Sequence, residues 1–409
     1  MTKARVPTDE ELRWITTRAV AEIIPRDDFI TALRSGRALR LKMGFDPSAP
    51  DLTLGHAVGL RKLRQLQDLG HTIVVIVGDW TARIGDPSGQ SKTRPMLTAD
   101  EVKVNAETYL RQFSKVVDRE LTEIRWQSEW FDEFTLTTVV NLAAKFTVAQ
   151  MLERGDFAER FSAKKPVGIH ELFYPLLQAY DSVAVQADVE FGGTDQRFNL
   201  LVGRELQPEF GQRPQSVFTV PLLVGTDGVK MSKSQGNYVA LEESPHEMYG
   251  KLMSITDPLV GDYFELLTDI PDDEVAGVRE AVARRGARAR DAKMRLAREI
   301  VSQFHSAAEA LEAEEEFQRV FSRREAPEEA IDLGVAFNGS GSVEVDLTQA
   351  LVDAGVVASK AEVRRLVSQG AIEADGSRVG EPRVRVRPGA VIRIGKHRFV
   401  RIVDSERTE

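Results

Sequence analysis

The residues from 230 to 234 read Lys-Met-Ser-Lys-Ser, which places two ammonium groups and two hydroxyl groups on one short segment. Glycines flank this segment on both sides, and they allow the backbone around it to change conformation. A mobile loop that carries such groups can close over a polyphosphate. The segment therefore predicts a site for a phosphorylated ligand.

A second segment whose side chains could bind a ligand spans residues 46–56. It reads Asp-Pro-Ser-Ala-Pro-Asp-Leu-Thr-Leu-Gly-His. It ends where an apolar stripe of helical period begins, so His56 is predicted in the first turn of a helix. The amide groups and the dipole at a helix N-terminus favour an anion, and the His56 ring can add a donor. Gly55 lacks a side chain, which lets a ligand lie directly against the backbone.

The elements around these segments alternate between strand and helix. The uninterrupted apolar run at 72–77 is typical of a strand that is buried on both faces of a parallel sheet. Strands are predicted at 39–45, 72–77, 183–191 and 217–224, with helices at 55–69 and 194–206. This alternation predicts an α/β fold with a doubly wound, Rossmann-like parallel sheet.

The polar residues fall where the predicted strands end. Asp46 follows the first strand, Gly78 follows the second, Asp195 follows the third, and Lys230 follows the fourth. Ligands of doubly wound sheets bind at the carboxyl ends of the strands, close to helix N-termini. These residues are therefore predicted to share one site at a single edge of the sheet.

The chain is predicted to form several domains. A Ser at position 359 is placed to N-cap a helix over 360–368 in the last of them. The predicted parts are a catalytic domain at 1–244 with a largely helical insert at about 99–165, a helical domain at 245–322, a linker at 323–342, and a small α+β module at 343–409.

Composition limits the class of protein. The 409 residues include no Cys and only six scattered His, which excludes disulfides and thiolate zinc sites and predicts no metal held by the protein. No uncharged apolar run approaches the ~20 residues needed to span a bilayer. The start of the chain lacks the apolar region of a signal peptide, so a cytoplasmic protein without a membrane partner is predicted.

Charge is unevenly distributed. The net charge of the chain is −9, but residues 356–403 hold eleven Lys or Arg against four Asp or Glu, a local balance of +7. Residues 279–299 hold eight against three, a local balance of +5. Basic surfaces on an acidic body favour selective contact with a polyanion, although basic solvated helix faces are also common.

These motifs together resemble those of the bacterial tyrosyl-tRNA synthetases, which are class I aminoacyl-tRNA synthetases. The resemblance runs from about residue 35 to the C-terminus. Its strongest segments are 44–47, 46–56, 84–89, 174–181, 192–196 and 230–234. The C-terminal module, from Ser359 to Val400, resembles the RNA-binding module of ribosomal small-subunit protein four.

The resemblance implies a tyrosine–tRNA ligase that uses ATP. Tyrosine would be activated to tyrosyl-adenylate with release of pyrophosphate, and the tyrosyl group would then pass to tRNA(Tyr). Mg²⁺ would bind through the ATP phosphates rather than in a protein cage. The resemblance also implies a homodimer formed through the helical insert near residues 130–165.

The resemblance assigns roles to individual residues. The implied catalytic residues are Thr53, His56, Lys230 and Lys233, and the implied ATP ligands are Asp46, Ser48, Gly55, His56, Gly193, Asp195 and Lys233. The implied tyrosine ligands are Lys42, Gly44, Asp86, Tyr174, Gln178, Asp181 and Gln196. The implied RNA contacts are Lys360, Arg364, Arg365, Arg383, Arg385 and Arg387.

Asp181 is the residue expected to select tyrosine, because a buried carboxylate can accept the phenol hydrogen bond and would be left unpaired by phenylalanine. Two positions depart from the family pattern. Thr53 stands where the first His of the Gly-His motif is usual, and its hydroxyl can donate to a phosphate but cannot carry a positive charge. Lys42 stands where many bacterial homologues carry Tyr, and its aliphatic stem is expected to line the tyrosine slot.

Three other functions remain open at this point. A tryptophanyl-tRNA synthetase is disfavoured by Asp181 and by the C-terminal module. A nucleotidyltransferase that acts on a small phosphorylated metabolite also uses a Gly-His helix start, but it does not account for residues 230–234. An RNA-binding factor with an inactive synthetase body is kept open by Thr53.

Overall fold

The structure is a computed structural model of the chain. It describes residues 3–48, 51–87, 98–229, 231, 236–284, 287–323, 330–338, 340–395 and 398–405. The chain forms two compact units, one of residues 1–242 with 255–292 and one of residues 243–254 with 293–409. Residues 255–292, which were predicted within a separate helical domain, instead belong to the first unit.

The first unit is built on a six-stranded sheet. Its strands are β1 (Glu22–Ile24), β2 (Arg40–Phe45), β3 (Thr72–Val77), β4 (Thr122–Trp126), β5 (Val189–Gly193) and β6 (Ser216–Val220). The spatial order is β1-β6-β5-β2-β3-β4, and all neighbours are parallel except the edge strand β1. The predicted doubly wound sheet is confirmed, with the strand order reversing between β2 and β5.

Helices cover this sheet. Those up to residue 206 are α1 (Asp9–Thr17), α2 (Arg26–Arg34), α3 (Leu54–Gln67), α4 (Thr81–Ile84), α5 (Ala99–Phe113), α6 (Ser128–Phe131), α7 (Leu136–Ala143), α8 (Val148–Met151), α9 (Gly155–Ser162), α10 (Ile169–Ala184) and α11 (Arg197–Leu206). Short 3-10 turns occupy Thr194–Gln196, Gln207–Phe210 and Asp257–Leu259. The apolar stripe predicted on α3 is buried, with Leu60, Leu63 and Leu66 fully out of solvent.

The remaining helices are α12 (Pro245–Met253), α13 (Val260–Leu267), α14 (Asp272–Ala283), α15 (Ala287–Phe304), α16 (Ala307–Arg323), α17 (Leu347–Asp353) and α18 (Lys360–Ser368). Of these, α13 and α14 lie in the first unit, whereas α12 and α16 to α18 lie in the second. The predicted N-cap of α18 is confirmed, since the Glu362 backbone N–H donates to Ser359 Oγ at 3.3 Å.

Two predicted strands have different bounds in the structure. The strand predicted at 183–191 starts only at Val189, because α10 continues to Ala184 and the chain then turns at Gln186 with a φ of +51°. The strand predicted at 217–224 ends at Val220. The insert at 99–165 is largely helical, as predicted, but it also supplies the edge strand β4.

The C-terminal part of the second unit is an α+β module. Its strands are β7 (Ile331–Val335), β8 (Val343–Asp346), β9 (Ile372–Ala374), β10 (Ser377–Arg378), β11 (Arg383–Val386), β12 (Val391–Ile394) and β13 (Arg398–Asp404). They form a five-stranded sheet of order β10-β9-β12-β13-β7 and a two-stranded sheet of β11 and β8. Gly376 and Gly389, which lie in turns of this module, both have positive φ.

The prediction of a linker at 323–342 is partly wrong. Residues Ile331–Val335 form β7, which pairs in parallel with β13 along five registered positions. Leu333 and Phe337 are buried in the same core as the strands of the module. The alternating apolar residues of this short stretch were hidden in sequence by the acidic and glycine-containing residues around it. Within the described residues, no helix has the length and apolar character needed to cross a membrane.

Candidate active site

A cavity of about 690 Å³ lies at the carboxyl edge of the six-stranded sheet, where β2, β3, β5 and β6 end. The structure brings thirteen of the predicted tyrosine, ATP and catalytic residues onto its wall. They are Gly44, Asp46, Ser48, Thr53, Gly55, His56, Asp86, Tyr174, Gln178, Asp181, Gly193, Asp195 and Gln196. The cavity lies at the point where the strand order reverses, which is the usual ligand position in such sheets.

Lys230 and Lys233 lie outside the described residues. The described neighbours of Lys230, Val229 and Met231, both line the cavity. A Cβ atom added to Gly55 would lie 3.8 Å from Met231 Sδ. Of this motif, the described residue Met231 therefore lies at the cavity, beside the start of α3.

His56 is held by the residue that precedes its helix. The backbone N–H of Thr53 donates to His56 Nδ1 at 3.1 Å, and Thr53 Oγ1 lies 3.0 Å from the same nitrogen. Because a backbone N–H can only donate, Nδ1 is the acceptor and the proton of the neutral ring resides on Nε2. Thr53 is 6% exposed and lines the cavity, and both its hydroxyl and its backbone N–H orient His56.

Asp181 is held by two donors inside the cavity wall. Gln127 Nε2 donates to Asp181 Oδ2 at 2.8 Å, and Trp130 Nε1 donates to Oδ1 at 3.2 Å. Burial raises the pKa of Asp181 to about 7, while the charge of Lys42 and the Gln127 hydrogen bond act in the opposite direction. Each oxygen retains acceptor capacity, so the carboxylate is suited to receive a further O–H donor.

Gln127 was missed by the sequence analysis. Its Oε1 accepts from the backbone N–H groups of Thr81 at 2.9 Å and Trp80 at 3.2 Å, which forces its Nε2 toward Asp181. Gln127 directly follows β4, a strand that the sequence analysis placed inside a helical insert. Recognising β4 would have placed Gln127 at the same sheet edge as the other site residues.

Asp46, a predicted ATP ligand, forms a hydrogen bond with Tyr174, a predicted tyrosine ligand. Its Oδ2 accepts from the Tyr174 hydroxyl at 2.9 Å, and its Oδ1 accepts from Thr81 Oγ1 at 2.6 Å. Burial, followed by the negative charge of Asp46, raises the pKa of Tyr174 well above its usual value. Gly78 is required beside them, because a Cβ atom there would collide with Asp46 Oδ1.

Asp86 lies next to Gln196 and close to a buried guanidinium. Gln196 Nε2 donates to Asp86 Oδ2 at 2.8 Å, and an Arg154 nitrogen lies 3.7 Å from Asp86 Oδ1. Arg154 comes from the start of α9 in the insert, and only 4% of its surface is exposed. No residue type or spacing in the sequence indicates this contact, because Arg154 and Asp86 are 68 positions apart.

The prediction that Lys42 lines the tyrosine slot is wrong. Lys42 is absent from the cavity wall and fully buried, with its Nζ 2.9 Å from Glu190 Oε1. Its Nζ also donates to the Gln178 carbonyl oxygen at 2.7 Å and to Ser182 Oγ at 2.8 Å. Lys42 shares a face of β2 with Gly44 but lies one strand repeat further from the sheet edge, where α10 covers it.

The predicted RNA-contact residues lie on the surface of the C-terminal module. Arg383 and Arg385 alternate with inward-facing valines along β11, as the strand period requires. Arg387 follows that strand and lies 3.5 Å from Asp375. The six predicted residues, Lys360, Arg364, Arg365, Arg383, Arg385 and Arg387, are all exposed.

Two family descriptions match this chain. Residues 34–322 match the family described as tRNA synthetases class I (W and Y), and residues 347–392 match the S4 domain. The first match contains every cavity residue described above. The second begins with α17 and ends within β12.

Curated relatives match along nearly the whole chain. A tyrosine–tRNA ligase of Dehalococcoides mccartyi is 55% identical over 396 residues, which cover 97% of this chain and 99% of its own length. A tyrosine–tRNA ligase of Thermotoga maritima is 50% identical over 402 residues, which cover 98% of this chain and 99% of its own length.

Solved structures share the fold at low sequence identity. A C-terminally truncated mitochondrial tyrosyl-tRNA synthetase of Aspergillus nidulans matches with a TM-score of 0.63 at 20% identity, covering 76% of this chain and 98% of its own. A tyrosyl-tRNA synthetase of Archaeoglobus fulgidus complexed with L-tyrosine matches with a TM-score of 0.61 at 23% identity, covering 74% of this chain and 99% of its own.

Proposed function

Because this chain belongs to the class I tRNA synthetases of the tryptophan and tyrosine type, we propose that its cavity carries out tyrosine activation with the residues described above. The chain is a tyrosine–tRNA ligase, like its curated relatives of about half identity over nearly full length. It joins tyrosine to tRNA with ATP as the second substrate. The observation that carries the assignment of the site is the single cavity that contains both Asp181 and His56.

Tyrosine occupies the part of the cavity bounded by Asp181 and Gln178. Its phenol donates to the Asp181 carboxylate, whose two other donors, Gln127 and Trp130, keep both oxygens turned to accept. Phenylalanine leaves this buried carboxylate without its ligand donor, which costs the full desolvation of that group. The same arrangement disfavours tryptophan, because the larger indole must fit a slot closed at its end by Asp181.

The ammonium and carboxylate groups of tyrosine meet the remaining polar residues of this half of the cavity. Asp86 supplies negative charge for the ammonium group, and Gly44 lets the ligand lie against β2. The amides of Gln178 and Gln196 and the Tyr174 hydroxyl supply the neutral donors and acceptors. These roles follow the family resemblance and are compatible with the observed positions of the side chains on the cavity wall.

ATP occupies the other half, beside the start of α3. His56 Nε2–H donates to a phosphate oxygen, and Gly55 and the helix N-terminus lie against the nucleotide. Asp195, beside Gly193, accepts hydrogen bonds from the ribose hydroxyls. Ser48 donates to the γ-phosphate, and Asp46 lies between the two substrates. Lys230 and Lys233 neutralise the departing pyrophosphate, where each such charge lowers the barrier by about 3 kcal/mol.

The first reaction step needs alignment more than covalent help from the protein. The tyrosine carboxylate oxygen attacks the α-phosphorus, and the bond to the pyrophosphate oxygen breaks. Mg²⁺ would bind through the ATP phosphates and would offset part of their negative charge. In the second step a terminal ribose hydroxyl of tRNA attacks the tyrosyl carbonyl and releases AMP.

Binding of tRNA(Tyr) uses the C-terminal module, whose exposed arginines on α18 and β11 contact phosphates. The enzyme acts as a homodimer through residues 130–165. The support for the dimer is a set of large apolar side chains in that segment that lie exposed in the single chain, namely Leu136, Val140, Val148 and Phe161. We expect the enzyme to act in the cytoplasm, because charged tRNA is used there.

ATP–pyrophosphate exchange tests this function. The enzyme is expected to exchange label with tyrosine and far less with tryptophan or phenylalanine. Exchange with tryptophan alone would identify the other enzyme of the family, and no exchange with any amino acid would favour the inactive RNA-binding factor. The matched variants are Asp181→Ala, which should abolish exchange, and Asp118→Ala, which changes a carboxylate outside the cavity and should not.

A further inference from the structure

Behind the cavity wall, a buried asparagine connects two of the side chains that face the ligand. Asn199 lies on α11, and only 1% of its surface is exposed. Its Nδ2 donates to Gln178 Oε1 at 3.0 Å and to Gln196 Oε1 at 2.9 Å. Asn199 is not itself part of the cavity wall, so it acts on a ligand only through these two glutamines.

Arg154 fixes the orientation of the Asn199 amide and therefore the direction of these hydrogen bonds. Its Nη1 donates to Asn199 Oδ1 at 3.1 Å. A guanidinium has donors and no acceptor, so the oxygen of the Asn199 amide must face Arg154 and the NH₂ group must face the glutamines. Arg154 is itself held in place, because its Nε donates to Asp156 at 2.8 Å and its guanidinium lies over the Phe157 ring.

The other ends of the two glutamines are fixed by carboxylates. Gln178 Nε2 donates to Glu190 Oε1 at 3.1 Å, and Gln196 Nε2 donates to Asp86 Oδ2 at 2.8 Å. Glu190 Oε1 lies 2.9 Å from the Lys42 ammonium nitrogen and accepts the Gln178 hydrogen bond. Each glutamine amide therefore lies between a group that donates to its oxygen and a group that accepts from its nitrogen.

We propose that Asn199 is a positioning residue for tyrosine binding, which sets the amide orientation of Gln178 and Gln196 through a relay that starts at Arg154. Without the relay, an amide can rotate by about 180° and exchange its oxygen for its nitrogen at little cost in shape. A fixed orientation presents one defined pattern of donors and acceptors to the ligand's ammonium and carboxylate groups. This inference rests on the proposed function, in which both glutamines contact tyrosine.

Asn199→Asp tests the relay with almost no change in shape. The substitution replaces an NH₂ donor by an oxygen, so two glutamine oxygens would then face a third acceptor. The glutamines must turn, which directs their oxygens toward Glu190 and Asp86. The KM for tyrosine in pyrophosphate exchange is expected to rise about tenfold or more, the effect of one mispaired buried polar group. The KM for ATP should remain within about twofold, since only tyrosine contacts change.

Two further variants separate positioning from simple loss of stability. Asn199→Ser removes the bridging amide with a smaller side chain, should raise the tyrosine KM in the same direction, and provides the test if Asn199→Asp does not fold. Gln67→Glu is the matched control, because it places a carboxylate at a buried amide outside the cavity. Among the described residues, this amide bonds Asp118 and Thr122. This control should lower the unfolding midpoint but leave the KM for tyrosine unchanged.

Isothermal titration of tyrosine into each folded variant gives the same comparison without turnover. An unchanged tyrosine affinity and KM in folded Asn199→Asp and Asn199→Ser would overturn the proposal. An equal loss of affinity in Gln67→Glu would overturn it as well, since the effect would then be general destabilisation. Failure of the proposed function is recognised separately, because the unaltered enzyme would then show no tyrosine-dependent exchange.

Discussion

Lys42 Nζ lies 2.9 Å from Glu190 Oε1, and the two side chains are 0% and 1% exposed. The pair joins neighbouring parallel strands, since Lys42 of β2 is in register with Glu190 of β5. Glu190 Oε2 also accepts from Gln215 Nε2 and from Ser182 Oγ, so the carboxylate is surrounded by donors. A full ion pair therefore lies beneath the floor of the amino-acid site, at the reversal point of the sheet.

Removal of one member of this pair should be strongly destabilising. Lys42→Met leaves the buried Glu190 without its cation, which is expected to lower the free energy of unfolding by about 3–5 kcal/mol. The double variant Lys42→Met with Glu190→Leu should recover much of that loss, because no lone charge remains. Urea unfolding measures both values.

The exposed pair of Arg5 and Glu11 provides the control for this experiment. These side chains are 55% and 40% exposed, so Arg5→Met should leave the urea midpoint nearly unchanged. If Lys42→Met behaved like Arg5→Met, the buried pair would not hold the two strands together as described.

Tyrosine binding should depend on pH through Asp181. The pKa of this carboxyl is raised from 3.8 to about 7 by burial, so it gains a proton in the folded enzyme as the pH falls through 7. A protonated carboxyl cannot accept hydrogen bonds from the phenol, Gln127 and Trp130 at the same time. The Kd for tyrosine is therefore expected to rise below about pH 7. Titration calorimetry from about pH 6 to 8 measures this change.

The raised pKa of Asp181 also predicts how the free energy of unfolding changes with pH. Because the folded pKa lies above the unfolded one, this carboxyl contributes most stability below about pH 4, and that contribution is lost as the pH rises through 7. Asp181→Asn cannot titrate, so it should remove both dependences. A tyrosine Kd that shows the same pH profile in Asp181→Asn would exclude Asp181 as the titrating group.

Thr53→His should not increase the rate of tyrosine activation. Thr53 is 6% exposed, and both its hydroxyl and its backbone N–H contact His56 Nδ1. An imidazole at this position would remove the hydroxyl contact that helps to orient His56. Stopped-flow measurement of adenylate formation should show an equal or lower rate, whereas a faster rate would mean that the site lacks a cation at residue 53.

The motifs allowed much of this site to be predicted, because they stand at the carboxyl ends of strands. Asp46 and Asp195 needed only the strand positions to be placed together. The resemblance assigned Lys42 to the tyrosine slot, but neither a motif position nor a strand pattern shows which element covers a side chain. The packing of α10 over Lys42 decides that it pairs with Glu190.

The residues that sequence analysis missed act through tertiary contacts. Gln127 follows an edge strand of five residues with no fully buried position, so the apolar pattern that marks β3 is absent from β4. Asn199 and Arg154 come together from separate helices, and neither residue type nor spacing indicates their contact. A single sequence predicts residues near a ligand more readily than the polar residues that orient them.

Substitution of basic residues in the C-terminal module should separate the two reaction steps. Arg364→Gln with Arg365→Gln removes two exposed charges from α18, so tRNA charging should weaken and the slope of its affinity against salt should fall by about 1 per lost phosphate contact. Pyrophosphate exchange should remain unchanged, because it needs no tRNA.

Arg13→Gln with Arg34→Gln is the matched control, since both residues are exposed on helices of the first unit. This variant has the same change in net charge and should charge tRNA normally. Equal losses in the two double variants would indicate a general effect of charge, and unchanged charging in the α18 variant would remove the assigned RNA contact.

The most direct measurement of the site is a crystal structure with a non-hydrolysable tyrosyl-adenylate analogue. The phenol oxygen is expected within hydrogen-bonding distance, about 3 Å, of an Asp181 carboxylate oxygen, with the ribose at Asp195 and the phosphate near His56. An analogue bound with its phenol far from Asp181, or with its phosphate remote from the start of α3, would contradict the assignment of this cavity.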